Sequence, residues 1–178
     1  MTSLYLVGYR GCGKTTVARL LGDRLGWPAF DADELLEQQA GQTIREIFAL
    51  EGEAGFRDRE SQVVRELTAR EPIVVSWGGG VILREENRTA LRTSGHIVWL
   101  RARAETLIKR IEQDPTTGAR RPNLTAGGGI EEVKQLLAVR EPIYAALANL
   151  IVDVDDNAPP AIAQHIAAWL VTQQEGRQ

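Results

Sequence analysis

Five short apolar runs punctuate the chain: Leu4–Gly8, Pro28–Asp31, Ile73–Ser76, His96–Leu100 and Leu150–Val154. Segments with helical spacing separate them, and that alternation predicts an open parallel sheet with helices on both faces. Val17, Leu20, Leu21 and Leu25 fall on one stripe that meets Gly26 as a stop. A second helix is predicted from Thr43, where Glu46 completes a capping box and Ile44, Ile47 and Phe48 form the buried face. Phe56, Val63, Val64 and Leu67 define a third helix, and Leu107, Ile108 and Ile111 a fourth. A long helix from Ile130 to Leu147 is predicted to be interrupted by Pro142. The last starts near Pro159, turns Ile162, Ile166 and Leu170 inward and ends near Gln173, leaving 173–178 as a frayed tail.

Two connections exceed what a simple crossover needs. The stretch between the second and third strands carries several short helices. The segment "DPTTGARRPNLTAGGG", residues 114–129, is glycine-rich, bears a proline and is basic in its middle. It reads as a lid over a site, within one domain spanning 1–178.

Composition narrows the class. At 178 residues, with 43% hydrophobic and 25% charged, the chain can bury one substantial core. A net charge of −3 gives no global attraction to nucleic acid or to acidic membranes. No stretch is long and apolar enough to span a bilayer, and no leader pattern precedes the first strand. The single cysteine, Cys12, excludes an internal disulfide and suits a reducing compartment. A cytoplasmic monomer is the expectation.

The chemistry begins at "GYRGCGKT", residues 8–15, between the first strand and the first helix. Gly8, Gly13, Lys14 and Thr15 fit G-x-x-x-x-G-K-[ST] with both flanks correct. Glycines let successive N–H groups face phosphate oxygens, and the helix N-terminus adds partial positive charge. Lys14 can reach the β- and γ-phosphates, and the Thr15 hydroxyl can ligate Mg²⁺. Cys12 reads as a small loop residue. The sequence therefore implies a nucleoside triphosphate site. A guanine-reading N-K-x-D is absent, and the third strand ends in Ser76-Trp77-Gly78-Gly79-Gly80 without the usual acidic residue. Asp31 is then the best metal-supporting carboxylate.

Asp31 and Asp33 frame "DAD" at the end of the second strand, where parallel sheets bind ligands. Strand alternation would put both on one side, one supporting Mg²⁺ and the other orienting an acceptor hydroxyl. Asp33 reads equally well as the cap of the next helix. In "GFRDRE", Arg57 and Glu60 stand at i, i+3, the spacing of a helix-surface ion pair. Arg140 opens "REPIY", and an arginine is the natural two-pronged clamp for a carboxylate.

Taken in order and spacing, "GxxGxGKT", "DAD", "GFRDRE", "GGG" and "REPIY" resemble the shikimate kinase family over essentially the whole chain. The resemblance implies an α/β P-loop fold of the nucleoside-monophosphate-kinase type, with a five-stranded parallel sheet in order 2-3-1-4-5. It implies transfer of the γ-phosphoryl of ATP to the 3-hydroxyl of shikimate, with Mg²⁺, in the pathway to chorismate and aromatic amino acids. By position, ATP would be held by Gly11, Cys12, Gly13, Lys14, Thr15 and Thr16, and the metal by Thr15 and Asp31. Asp33 would orient or deprotonate the attacking hydroxyl. Arg57 and Arg140 would grip the carboxylate, Glu60 would hold Arg57, and Gly78, Gly79 and Gly80 would approach the ring. Residues 32–70 would be the shikimate-binding region, with Ile44, Phe48 and Phe56 shaping its wall.

In the lid, Arg121 precedes Pro122 as the family's phosphate-reaching arginine does, with Arg120 its solvated neighbour. Four features depart from the family. Trp77 stands where a small residue is common, "NL" follows Pro122 in place of two leucines, and the lid is unusually rich in glycine. The loop "VDVDDNAPP" offers Asp155, Asp156 and Asn157 to the nucleotide in place of a base, with Asn157 as the contact. Two other readings are a gluconate- or nucleotide-kinase-like enzyme and a nucleotide-dependent binding module without turnover. Paired arginines disfavour the first, and retention of Lys14, Thr15, Asp33, Arg57 and Arg140 disfavours the second.

Overall fold

A computed structural model describes residues 2–113 and 129–175. Its strands are β1 (Ser3–Val7), β2 (Ala29–Asp31), β3 (Val74–Ser76), β4 (Gly95–Arg101) and β5 (Leu150–Asp153). All pair in parallel, in the order β2-β3-β1-β4-β5. The helices are α1 (Lys14–Leu25), α2 (Ala32–Ala40), α3 (Ile44–Thr68), α4 (Glu85–Ser94), α5 (Ala104–Gln113), α6 (Gly129–Leu147) and α7 (Pro159–Glu175).

Every residue of β1 is buried, and alternate side chains enter two different cores. Leu4 and Leu6 join Val17 and Leu21 of α1 and Ile162 and Ile166 of α7. Tyr5 and Val7 join Ile44, Phe56 and Val64 of α3, with Tyr144 of α6. Helices on both faces explain why the strands read as continuous apolar runs. Each fully buried Leu, Ile or Phe contributes about 1.5–3 kcal/mol, so both cores share in holding the sheet.

The expected caps form. Gly26 ends α1 at φ 68°, and Thr43 with Glu46 makes a full capping box on α3. A break at Gly52 (φ 69°, ψ −173°) divides α3 into the two helical segments that the apolar spacing separates. Four details differ from the sequence reading. Strand β2 stops at Asp31, so Asp33 lies in the first turn of α2 and strand alternation does not relate the two carboxylates. Helix α6 runs through Pro142; the proline and Ala138, four residues earlier, both face solvent, where water can bond the freed carbonyl. Helix α7 continues to Glu175, past the predicted end near Gln173. Helix α4 carries only a thin buried stripe, Asn87 and Leu91, and has no apolar periodicity to announce it.

Register sets out the site. Leu6 pairs with Ser76 and Asp31 also pairs with Ser76, so these residues lie abreast at the carboxyl edge of the sheet. The glycine loop leaves β1 immediately beyond them.

Candidate active site

The loop between β1 and α1 closes around its own lysine. Gly8, Gly11 and Gly13 all adopt positive φ, a curl that side-chain-bearing residues rarely take. Lys14 is buried, and its Nζ donates to the carbonyls of Gly8 and Tyr9, both at 2.9 Å, with Cys12 Sγ at 3.7 Å. Cys12 itself is buried, and Thr16 is exposed in the first turn of α1.

Thr15 Oγ1 donates to Asp31 Oδ2 at 2.6 Å and lies 3.4 Å from Ser76 Oγ. The other Asp31 oxygen caps α2, accepting from the N–H groups of Asp33 (3.0 Å) and Glu34 (3.3 Å). The helix cap is thus Asp31 and not Asp33. Three adjacent oxygen-bearing side chains, one of them a carboxylate, form the kind of donor set a hard divalent cation takes.

Beyond β3 the chain turns through Gly78, Gly79 and Gly80 into a short 3₁₀ segment at Val81–Leu83. Both candidate clamps meet this turn. A Cβ built on Gly80 would lie 2.4 Å from Arg57 Nη1 and 2.5 Å from Nη2, so the guanidinium lies against the bare glycine backbone. A Cβ on Gly79 would lie 3.5 Å from Arg140 Nη1 and 3.4 Å from the Tyr144 hydroxyl. Gly78 shapes the turn by accepting the Val81 N–H at 3.0 Å. Arg57 and Arg140 are both buried, each at 6% exposure.

Arg57 has two carboxylate neighbours on its own helix. Its Nη1 donates to Glu60 Oε2 at 2.7 Å, and Glu60 is also buried, so the pair is an interior brace rather than a surface bridge. Glu53 approaches the Nε–Nη2 edge. Of the three expected wall residues, Ile44 and Phe56 belong wholly to the core. Phe48 is half-buried and stacks on Phe56 with ring centroids 4.7 Å apart.

Tyr9 and Tyr144 join the site unforeseen. The Tyr144 hydroxyl donates to the Gly79 carbonyl at 2.5 Å, fixing the turn that both arginines use. The Tyr9 ring has the Arg140 guanidinium at 5.6 Å and that of Arg10 at 6.0 Å. Burial pushes the Tyr9 phenol above its ordinary value, and the two guanidinium charges only partly offset this. The quoted "REPIY" held a signal for Tyr144, since positions 140 and 144 share a helix face. Trp77 fills space, buried and edge-on to Tyr5 with centroids 5.9 Å apart.

At the ends of β4 and β5 a cleft of ≈ 450 Å³ is lined by Arg101, Arg103, Asp153, Asp155, Asp156 and Asn157. Asn157 is held by its own donation to the Asp153 carbonyl at 3.1 Å. Burial works to raise the Asp155 carboxyl, but bonds from Thr106 and the Arg103 amide, with the nearby arginine charges, hold it below its ordinary value. Of the lid segment 114–129, residues 114–128, with Arg120 and Arg121, lie outside the described residues.

The shikimate kinase family model matches residues 10–171. The shikimate kinase of Rhodopirellula baltica is 48% identical over 150 residues, covering 84% of this chain and 80% of that protein. The solved structure of shikimate kinase from Acinetobacter baumannii in complex with shikimate superposes with a TM-score of 0.91 at 36% identity. It covers 97% of this chain and 94% of that one. A gluconokinase from Sinorhizobium meliloti matches at a TM-score of 0.63 and 19% identity over 98% and 94% of the two chains, a likeness of fold alone.

Proposed function

The chain belongs to the shikimate kinase family, and on that premise we propose that it transfers the γ-phosphoryl of ATP to the 3-hydroxyl of shikimate. The observation that carries the reading is the meeting of two buried arginines, Arg57 and Arg140, at one glycine turn beside the P-loop. Glu60 engages only one nitrogen of Arg57, and a planar carboxylate matches the paired donors of the two guanidinium groups.

In this reading ATP lies along the loop of Gly11, Cys12, Gly13, Lys14, Thr15 and Thr16. Lys14 exchanges the Gly8 and Tyr9 carbonyls for β- and γ-phosphate oxygens, an exchange of neutral acceptors for charged ones. The acceptor's carboxylate lies between Arg57 and Arg140, which sets its hydroxyl in line with the γ-phosphorus. Asp33 orients that hydroxyl and takes its proton as the oxygen lone pair attacks. The new P–O bond forms as the bond to the bridging β–γ oxygen breaks, and ADP departs with that electron pair. Thr15, with Asp31 behind it, would hold Mg²⁺, which would supply positive charge to offset that of the phosphate oxygens. Arg121 of the lid adds a cation at the phosphates, a role supported by the family motif, and Asn157 contacts the nucleotide from the second cleft. Gly78, Gly79 and Gly80 let the acceptor ring approach the backbone. The protein acts as a monomer in the cytoplasm.

The test is ADP release with Mg-ATP and each of three acceptors: shikimate, gluconate and a nucleoside monophosphate. ADP formed with shikimate alone is the expected result. Turnover with gluconate or the nucleotide in its place would overturn the acceptor assignment, and ATP binding without turnover would favour a binding module.

A further inference from the structure

The Arg57 guanidinium meets its two glutamates in very different ways. Glu60 takes Nη1 at 2.7 Å through one oxygen, and both side chains are almost fully buried, at 8% and 6% exposure. That is the length of a strong charge-assisted bond. Glu53 places a single oxygen, Oε1, against both Nε (3.4 Å) and Nη2 (3.2 Å). Its side chain is 58% exposed. The Nε–Nη2 edge is a two-pronged face of the guanidinium, and a ligand carboxylate on it makes two parallel short bonds. Glu53 makes two long ones with one atom. It also follows directly on Gly52, where the helix breaks, so its position does not depend on an unbroken turn behind it.

We propose that Glu53 is a built-in competitor for the acceptor's carboxylate: it covers the Nε–Nη2 edge of Arg57 until substrate displaces it into solvent. Glu60 remains as the brace. The inference rests on the reading that Arg57 receives that carboxylate. Its consequence is a weakened acceptor affinity, because binding must first break the Glu53 contact and then tolerate a like charge beside the ligand. In exchange, the Nε–Nη2 edge of the arginine keeps a partner when no acceptor is bound, as Glu60 serves only Nη1. The Glu53 end of the contact is open to solvent and its bonds are long, so its worth is close to that of a surface pair.

The test is calorimetric titration of shikimate into the full chain as wild type, Glu53→Gln and Arg57→Ala, with melting curves to establish folding. Glu53→Gln is expected to bind shikimate about two- to fivefold more tightly. The gain should reappear as a lower KM for shikimate, with the KM for ATP unmoved. Unchanged or weaker binding by Glu53→Gln overturns the proposal and makes Glu53 a second brace. Glu53→Asp, too short to span the same gap, should also bind more tightly if displacement is the cost, and no gain there counts against it. Arg57→Ala separates the two levels of the argument. If it binds shikimate like the wild type, the carboxylate reading itself fails; if it loses binding while Glu53→Gln gains nothing, only the competitor role fails.

Discussion

Replacing Gly80 by alanine should damage acceptor binding through a single methyl group. The Gly80 backbone, at φ −101° and ψ −1°, suits alanine, so the substitution brings no torsional strain. Its Cβ would lie 2.4 Å from Arg57 Nη1, 2.5 Å from Nη2 and 2.7 Å from Cζ. Non-bonded contact needs about 3.5 Å, so the guanidinium must retreat by about 1 Å. A flexible side chain makes that retreat cheap for folding, but the Glu60 bond resists it and the clamp geometry does not survive it. A hydrogen bond to a charged group is worth about 1.5–3 kcal/mol. Losing one such bond to the ligand raises KM for shikimate by about ten- to a hundredfold. Steady-state kinetics, varying shikimate and ATP separately, should place the change in the shikimate KM. Gly79→Ala provides the graded comparison: its nearest obstacle is the Gly8 carbonyl at 3.2 Å, and Arg140 Nη1 lies at 3.5 Å, so its effect should be smaller. A folded Gly80→Ala protein with wild-type KM for shikimate would refute the reasoning.

Lys14→Ala should lower kcat by about 10²–10³, the range seen when one donor to developing charge is removed, and near-normal turnover would refute its role. Asp31 has two jobs that two variants separate. Asp31→Asn keeps the α2 cap but loses the charge behind Thr15, so it should raise the Mg²⁺ needed for half-maximal rate with little change in melting. Asp31→Ala should lose about 1 kcal/mol of stability in addition, read by denaturant titration. Burial raises the phenols of Tyr5 and Tyr9. A folded value above the unfolded one of about 10 means this stability is intact below that pH and is lost as pH rises toward the folded values. Alkaline melts should show that fall, and Tyr9→Phe should flatten it.

The sheet was legible because a strand buried on both faces has no choice but to be apolar, and β1, β3 and β4 are such strands. The P-loop was legible because its chemistry needs particular residues at particular spacing. Arg57 and Arg140 were legible as candidates, yet only tertiary packing brings residues so far apart in sequence to one turn. Other features had no local signature. Asp33 reads on paper as the cap of α2, but β2 ends at Asp31 and Asp31 takes that place. Helix α4 is held by Asn87, which donates to the Val81 carbonyl, and by Arg88, which donates to that of Ile82. Such polar anchors leave no hydrophobic period. Glu53 has no local signature either, since only its distance from the buried Arg57 sets it apart from the other acids of α3.

Arg57 and Arg140 are proposed to hold the acceptor by its carboxylate. The most direct measurement compares kcat/KM for shikimate with that for its methyl ester, which keeps the ring and hydroxyls and removes the charge. A loss of about a hundredfold or more is expected for the ester, the worth of one or two charge-assisted bonds. Equal kcat/KM for acid and ester would contradict it.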